Sequence, residues 1–369
     1  MTYFPPPGGS AVWDRVAPAE AGFRAEGLAE AVAFAEASET AWDRDIARQL
    51  AIGTFEPPPW NEVMGHSRPR SGPAGLVLKG GRIVAEWGDI ERPDMVFSIA
   101  KSFVSTCVGI AHDDGLIPDL DQPVAELVGD GGFEGAQNGA ITWRQLLHQT
   151  SEWEGTLFDK PDAVDRFRDV DSKGSANRKG ELRPLEAPGT YWEYNDVRVN
   201  RLALAALRVL KRPLPDVLRE RIMAPIGHLG TWEWHGYRNS WVDIDGRMMQ
   251  SVSGGAHWGG GMFIASVDLA RFGLLFRHGG HWGRRRLLSE AWVGEALTPC
   301  PVRPDYGALW WLNGPGTQFP SVTRSSFAAR GAGANFVWVS PEDDIVVVAR
   351  WIAKEAMDGL LARVLGART

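Results

Sequence analysis

Met95-Val96-Phe97-Ser98-Ile99-Ala100-Lys101-Ser102-Phe103-Val104-Ser105-Thr106-Cys107-Val108 holds the one S-x-x-K of the chain. It lies where a helix should begin. Met95-Val96-Phe97 is short and apolar, whereas Phe103, Val104, Cys107, Val108 and Ala111 recur at helical spacing until Asp113-Asp114-Gly115 ends the run. Ser98 and Lys101, three apart, share one helix face. A hydroxyl beside an amine is the minimum apparatus for a serine nucleophile that works without histidine. Alone the tetrad is weak, because a helix cap followed by a solvated lysine reads the same way.

Strand signals stand at both ends of the chain. Gly75–Lys79 and Arg82–Glu86 flank Gly80-Gly81, a two-residue hairpin signal. Ala308–Leu312, Asn335–Val339 and Ile345–Trp351 read as late strands, the last two joined by Pro341-Glu342-Asp343-Asp344. Ala19–Glu36 and Glu355–Leu365 read as terminal helices. Between them Thr142–His148, Val197–Leu210, Leu214–Met223 and Val267–Arg277 are helical. The expected fold is α+β: residues 1–104 and 251–369 form one discontinuous domain, an antiparallel sheet flanked by terminal helices. Residues 105–250 are expected to be an inserted all-helical domain, with the active site between the two. The stretch 155–188 is long, charged and rich in turn residues, and reads either as a disordered surface loop or as a substrate lid.

Composition narrows the classes. With 369 residues, 44% hydrophobic and 23% charged, the chain has the make-up of a globular protein of one large or two closely packed domains. A net charge of −7 argues against nucleic acid or an anionic membrane as partner. Cys107 and Cys300 are the only cysteines, which leaves no disulfide framework and no cysteine metal site. His278 and His281 lack a third ligand nearby in sequence, so no metal is expected. The start of the chain shows no signal-peptide pattern, and the apolar run Leu202–Leu207 is too short for a bilayer, so a cytoplasmic location is expected. The 17 tryptophans suggest a partly aromatic pocket.

Two further segments supply chemistry. An amine removes a proton only in its neutral form, and a second titratable group usually assists. Tyr191-Trp192-Glu193-Tyr194-Asn195-Asp196 offers a phenol at Tyr194 and a carboxylate at Asp196, just before a helix. Ala329-Arg330-Gly331-Ala332-Gly333-Ala334 lacks bulky apolar residues, so a substrate carbonyl can lie along its edge and meet a backbone N–H. No G-x-S-x-G elbow and no G-x-x-x-x-G-K-[ST] loop is present.

These three segments, in this order, resemble the serine β-lactamase-like hydrolases: class C β-lactamases, D-alanyl-D-alanine peptidases, family VIII esterases and 6-aminohexanoate-dimer hydrolases. The pattern there is S-x-x-K, then Y-x-N or Y-x-S, then a K/H-x-G strand. Leu146–Ser151, Pro188–Tyr194, Gly259–Met262, Ser266–Gly273, Leu287–Val293 and Ser340–Val348 add to the likeness, which covers roughly residues 70–368. The resemblance implies a β-lactamase/transpeptidase-like fold, Ser98 as acylated nucleophile, Lys101 as its activator and Tyr194 as general base or acid. It implies an oxyanion hole from the N–H groups of Ser98 and Ala332, and no cofactor. Asp196 stands where the family has Asn or Ser, and could pair with Lys101 and hold it protonated.

The usual Lys or His of the strand falls on Ala329, or one residue later on Arg330. Its absence resembles the esterases and nylon-oligomer hydrolases more than the β-lactamases. Asp196, Arg330, Gly331, Gly333, Trp153, Glu154 and Trp258 are the candidate pocket residues. The expected activity is cleavage of a small ester, then of a linear amide, through an acyl-enzyme. A β-lactamase or D-alanyl peptidase, or an idle binding or scaffold protein of this fold, are the alternatives.

Overall fold

The computed structural model describes residues 3–170 and 178–369. Its main sheet has six strands: β1 (Ala74–Lys79), β2 (Arg82–Trp87), β3 (Trp311–Leu312), β4 (Phe327–Gly331), β5 (Asn335–Ser340) and β6 (Ile345–Arg350). They run in the order β3-β4-β5-β6-β1-β2, every neighbour antiparallel. Gly80 and Gly81, at φ 58° and 83°, make the tight turn between β1 and β2. Pairing of Val77 with Val347 joins the N-terminal hairpin to the C-terminal strands.

Both faces of this sheet are covered, so β6 reads as a continuous apolar run rather than an alternating one. Val347 and Ala349 pack against α1 (Ala25–Ala37) and the C-terminal helix, Ala356–Gly366. Val346 and Val348 face the other way, into the core that holds Leu269 and Phe272 of the helix Ser266–Arg277. That helix lies close because Gly273 has no side chain. A Cβ there would meet Val346 Cγ1 at 2.8 Å and Val337 Cγ1 at 2.9 Å.

The helix opened by Ser98, α2 (Ala100–Asp113), is buried from Ala100 through Ala111, with Ser102 Oγ donating to Leu309 O and Thr106 Oγ1 to Ser102 O inside the core. Cys107 sits in this core, its thiol pushed up by burial. Beside it runs α3 (Asp196–Leu210), started by Asn195, whose side chain accepts from Arg198 N. Thr142 and Gln145 form a reciprocal capping box on the short helix Trp143–Leu147.

The span 105–250 is not all helix. Glu233–Ile244 and Arg247–Val252 form a long antiparallel hairpin. It joins Gly261–Ile264 and Asp94–Met95 in a second, four-stranded sheet. The turn residues Asp245 and Gly246 have φ 54° and 79°, the left-handed pair that an Asp-Gly dipeptide favours in two-residue hairpins. Among the described residues no helix is long and apolar enough to cross a membrane. Part of the stretch 155–188 (residues 171–177) lies outside the described residues. The rest is neither loose nor featureless: Arg166 pairs with Asp162 at 3.1 Å, and Arg183 with Glu152 at 2.6 Å.

Candidate active site

Asp94, just before the tetrad, is fixed by Ser71 N at 2.9 Å and by Trp351 Nε1 at 2.8 Å. Three residues on, Phe97 takes φ 50°, a conformation that costs a bulky residue on the order of 1–3 kcal/mol. Packing holds it there, with the Trp42 ring edge-on at 5.3 Å and Trp351 at 6.2 Å. This kink puts Ser98 at the rim of a cleft and starts the helix on which Lys101 follows one turn later. Lys101 Nζ donates to Ser98 Oγ at 2.8 Å. The lysine itself is 1% exposed.

Asp196 reaches the same lysine from α3, its Oδ1 lying 2.7 Å from Nζ. Arg168 donates to the same oxygen at 2.9 Å. Burial would raise the Asp196 carboxyl, but the charges of Lys101 and Arg168 outweigh it and hold the group below the usual carboxylate range. Gly255 makes room for this cluster, since a Cβ there would fall 1.5 Å from Asp196 Oδ2. Tyr194 lies against it, with Lys101 Nζ and the Arg168 guanidinium carbon each 4.8 Å from the ring centre. Trp311 stacks on Tyr194 at 5.7 Å and 28°. No described residue hydrogen-bonds the Tyr194 hydroxyl.

The end of β4 closes the site. A Cβ on Gly331 would lie 2.0 Å from Val96 O and 3.2 Å from Ser98 N, so only glycine lets this edge touch the turn that carries the serine. Ser98, Tyr194, Arg168, Trp311 and the Arg330–Ala334 stretch all line one cleft of about 780 Å³. Of the two residues considered for the strand position, Arg330 lines the cleft, over the Trp311 ring at 4.9 Å. Ala329 is buried in the core with Val337.

Three candidate pocket residues stand elsewhere. Trp153 is buried and donates to Gly132 O. Glu154 points outward toward Arg166 at 3.4 Å, and Trp258 donates to Trp60 O. None of the three lines the cleft. In their place come Trp42, Phe55, Arg168, Lys179 and Trp311, which no motif marks. Arg168 and Lys179 lie in the charged stretch 155–188, whose composition was the one available signal.

Behind the lysine the charges continue. Glu56, Asp165 and His257 place donor atoms within 4.8 Å of one another, and the Lys179 ammonium pairs with both carboxylates. Its Nζ lies 2.7 Å from Glu56 Oε1 and 3.1 Å from Asp165 Oδ1.

Comparison with known proteins adds the lineage. The sequence model described as Beta-lactamase matches residues 62–351. A beta-lactamase from Mycobacterium bovis is similar in structure, with TM-score 0.56 at 19% identity over 80% of this chain and 94% of that one. A family VIII carboxylesterase gives TM-score 0.56 at 16% identity, over 87% and 95% of the two chains. A D-stereospecific amidohydrolase from Streptomyces sp. gives 0.53 at 19%, over 87% and 97%. Among curated proteins none matches the chain.

Proposed function

Taking as premise that this chain belongs to the beta-lactamase family, a family of serine hydrolases, we propose that Ser98 is its acylated nucleophile and that small esters, then linear amides, are its substrates. The observation that carries this reading is the 2.8 Å contact between Lys101 Nζ and Ser98 Oγ inside a shared cleft. As Ser98 Oγ attacks the carbonyl, its proton passes to Lys101 or Tyr194, and the same group returns a proton to the leaving oxygen or nitrogen. The N–H groups of Ser98 and Ala332 receive the oxyanion. Water then attacks the acyl-enzyme in the reverse sense and frees Ser98.

The environment of Lys101 supports a division of labour. Asp196 holds the amine as an ion pair, and Lys101 and Arg168 both bring positive charge to the Tyr194 ring. That arrangement favours Tyr194 as the group that takes the serine proton, with Lys101 steering Oγ. Ester ahead of amide follows from two features. An alkoxide leaves with less acid assistance than an amine. Of the two residues that could stand where β-lactamases have Lys or His, Ala329 is buried and offers no anchor for a substrate carboxylate. That leaves Arg330, at the cleft over Trp311, as the group that could meet one.

Parallel assays with p-nitrophenyl acetate, a matched p-nitroanilide and nitrocefin test the substrate class. The ester should turn over fastest. Nitrocefin turnover equal to that of the ester would replace this reading by a β-lactamase.

A further inference from the structure

A row of buried ionisable side chains behind Lys101 takes no part in the acylation just described. Asp196 spends Oδ1 on Lys101 and Arg168. Its Oδ2 faces His257 Nε2 at 3.3 Å, and both atoms are buried with no hydrogen bond. On the far side of the ring, Nδ1 lies 3.1 Å from Glu56 Oε1, within hydrogen-bond reach. Phe55 stacks on the imidazole at 4.1 Å and 9°, which fixes the plane of the ring. His257 and Glu56 are 3% and 2% exposed. The 3.3 Å pair lies off the line of a hydrogen bond as it stands, and it can become one only when Nε2 carries the ring N–H. A neutral imidazole has a single N–H and two places to carry it.

We propose that Glu56 and His257 form a tautomer switch behind the nucleophile, in which protonation of Glu56 transfers the ring N–H of His257 from Nδ1 to Nε2 and so gives Asp196 a third donor. The protons balance. With Glu56 ionised, its oxygen accepts the Nδ1–H, and the bare Nε2 lone pair opposes Asp196 Oδ2. On uptake of one proton from solvent, the Nδ1–H bond breaks and that proton passes to Glu56 Oε1. The incoming proton forms the Nε2–H bond and is donated to Asp196 Oδ2. Asp196, now sharing its charge among three donors, holds the Lys101 ammonium less tightly.

The surroundings put this exchange in reach. Glu56 is faced by His257 from one side and by Lys179, Asp165 and Arg168 from the other, with Lys160 and Tyr237 further off. Burial, and then Asp165, push Glu56 up to about 8 against the pull of Lys179 and Arg168. Burial, and then Arg168, keep His257 well below 6.5, so the ring stays neutral while Glu56 titrates.

The consequence for rate rests on the Ser98–Lys101 reading; the tautomer itself is measured without any activity. In protein labelled with ¹⁵N-histidine, long-range ¹H–¹⁵N spectra from about pH 6 to about pH 9.5 distinguish the protonated from the bare ring nitrogen. His257→Asn identifies the His257 signals. The two nitrogens should exchange roles with a midpoint near the Glu56 value of about 8, and Glu56→Gln should abolish the exchange. One tautomer throughout in the wild type overturns the switch, whether or not Glu56→Gln folds. So does an exchange that persists in Glu56→Gln.

On the same samples, labelling of Ser98 by a fluorophosphonate should change by roughly 3- to 10-fold across that range in the wild type and lose this step in Glu56→Gln. An exchange with no matching step in rate would overturn the coupling to Lys101. Absence of labelling at every pH would instead overturn the hydrolase reading.

Discussion

A single methyl group at Gly255 should disable the site while leaving every proposed catalytic side chain in the sequence. The added Cβ would stand 1.5 Å from Asp196 Oδ2, 2.6 Å from its Cγ and 2.7 Å from Lys101 Nζ. Normal contact needs about 3.5 Å, so the carboxylate must retreat by about 2 Å. Asp196 is 1% exposed and His257 Nε2 closes its far side at 3.3 Å, so the movement has nowhere to go but into the lysine. The 2.8 Å contact between Lys101 and Ser98 is then lost.

Gly255 does not have a positive φ, so alanine brings no backbone strain and the effect is steric. Overpacking of this kind costs about 1–3 kcal/mol of stability, and a misplacement near 1 Å in the reacting groups costs about 10²-fold in rate. Gly254→Ala is the matched control: its Cβ would strike Val199 Cγ1 at 2.6 Å, an apolar neighbour outside the ion cluster. Urea denaturation and the second-order rate of fluorophosphonate labelling are measured on both. Both variants should lose stability, and only Gly255→Ala should lose labelling. Wild-type labelling in Gly255→Ala, or equal loss in the two, would show that the Asp196 carboxylate does not hold Lys101 against Ser98.

Three other outcomes are expected. Tyr194→Phe should slow acylation by roughly 10²-fold or more, read from the burst with p-nitrophenyl acetate; a near-normal rate would reduce the phenol to a packing role. Asp196→Asn leaves Lys101 and Arg168 short of a buried carboxylate and should cost about 3 kcal/mol in urea denaturation, with a loss below about 1 kcal/mol counting against the ion cluster. Glu56 is raised in the folded state from 4.5 to about 8, so its stabilising share is complete below the lower value and disappears as pH rises through the upper one. Denaturation at about pH 5 and about pH 9 should therefore show the wild type losing more stability than Glu56→Gln, and a difference of opposite sign would contradict the assignment.

Much of the scaffold was legible because local signals and global packing agree. Gly80-Gly81 forms its turn, Val267–Arg277 its helix, and the apolar β6 run is buried on both faces. The contact between Ser98 and Lys101 was legible too, since the two are neighbours on one helical face, a relation that spacing alone fixes.

The hairpin at Glu233–Val252 was readable in principle from Asp245-Gly246, but its strand Glu233–Ile244 mixes polar and apolar residues without clean alternation. Glu56, Arg168, Lys179 and His257 were out of reach for another reason. They converge from positions far apart in the chain, and each makes sense only beside partners that no periodicity brings together. Trp153, Glu154 and Trp258 show the converse error, in which nearness in sequence to a motif stood in for nearness to the cleft.

The central claim is the reactivity of one hydroxyl. Incubation with a fluorophosphonate probe, followed by peptide mass spectrometry, reads it directly. One adduct is expected, on the peptide containing Ser98, absent in Ser98→Ala and strongly reduced in Lys101→Ala. An adduct on a different serine, or labelling of Ser98→Ala at the wild-type rate, would contradict it.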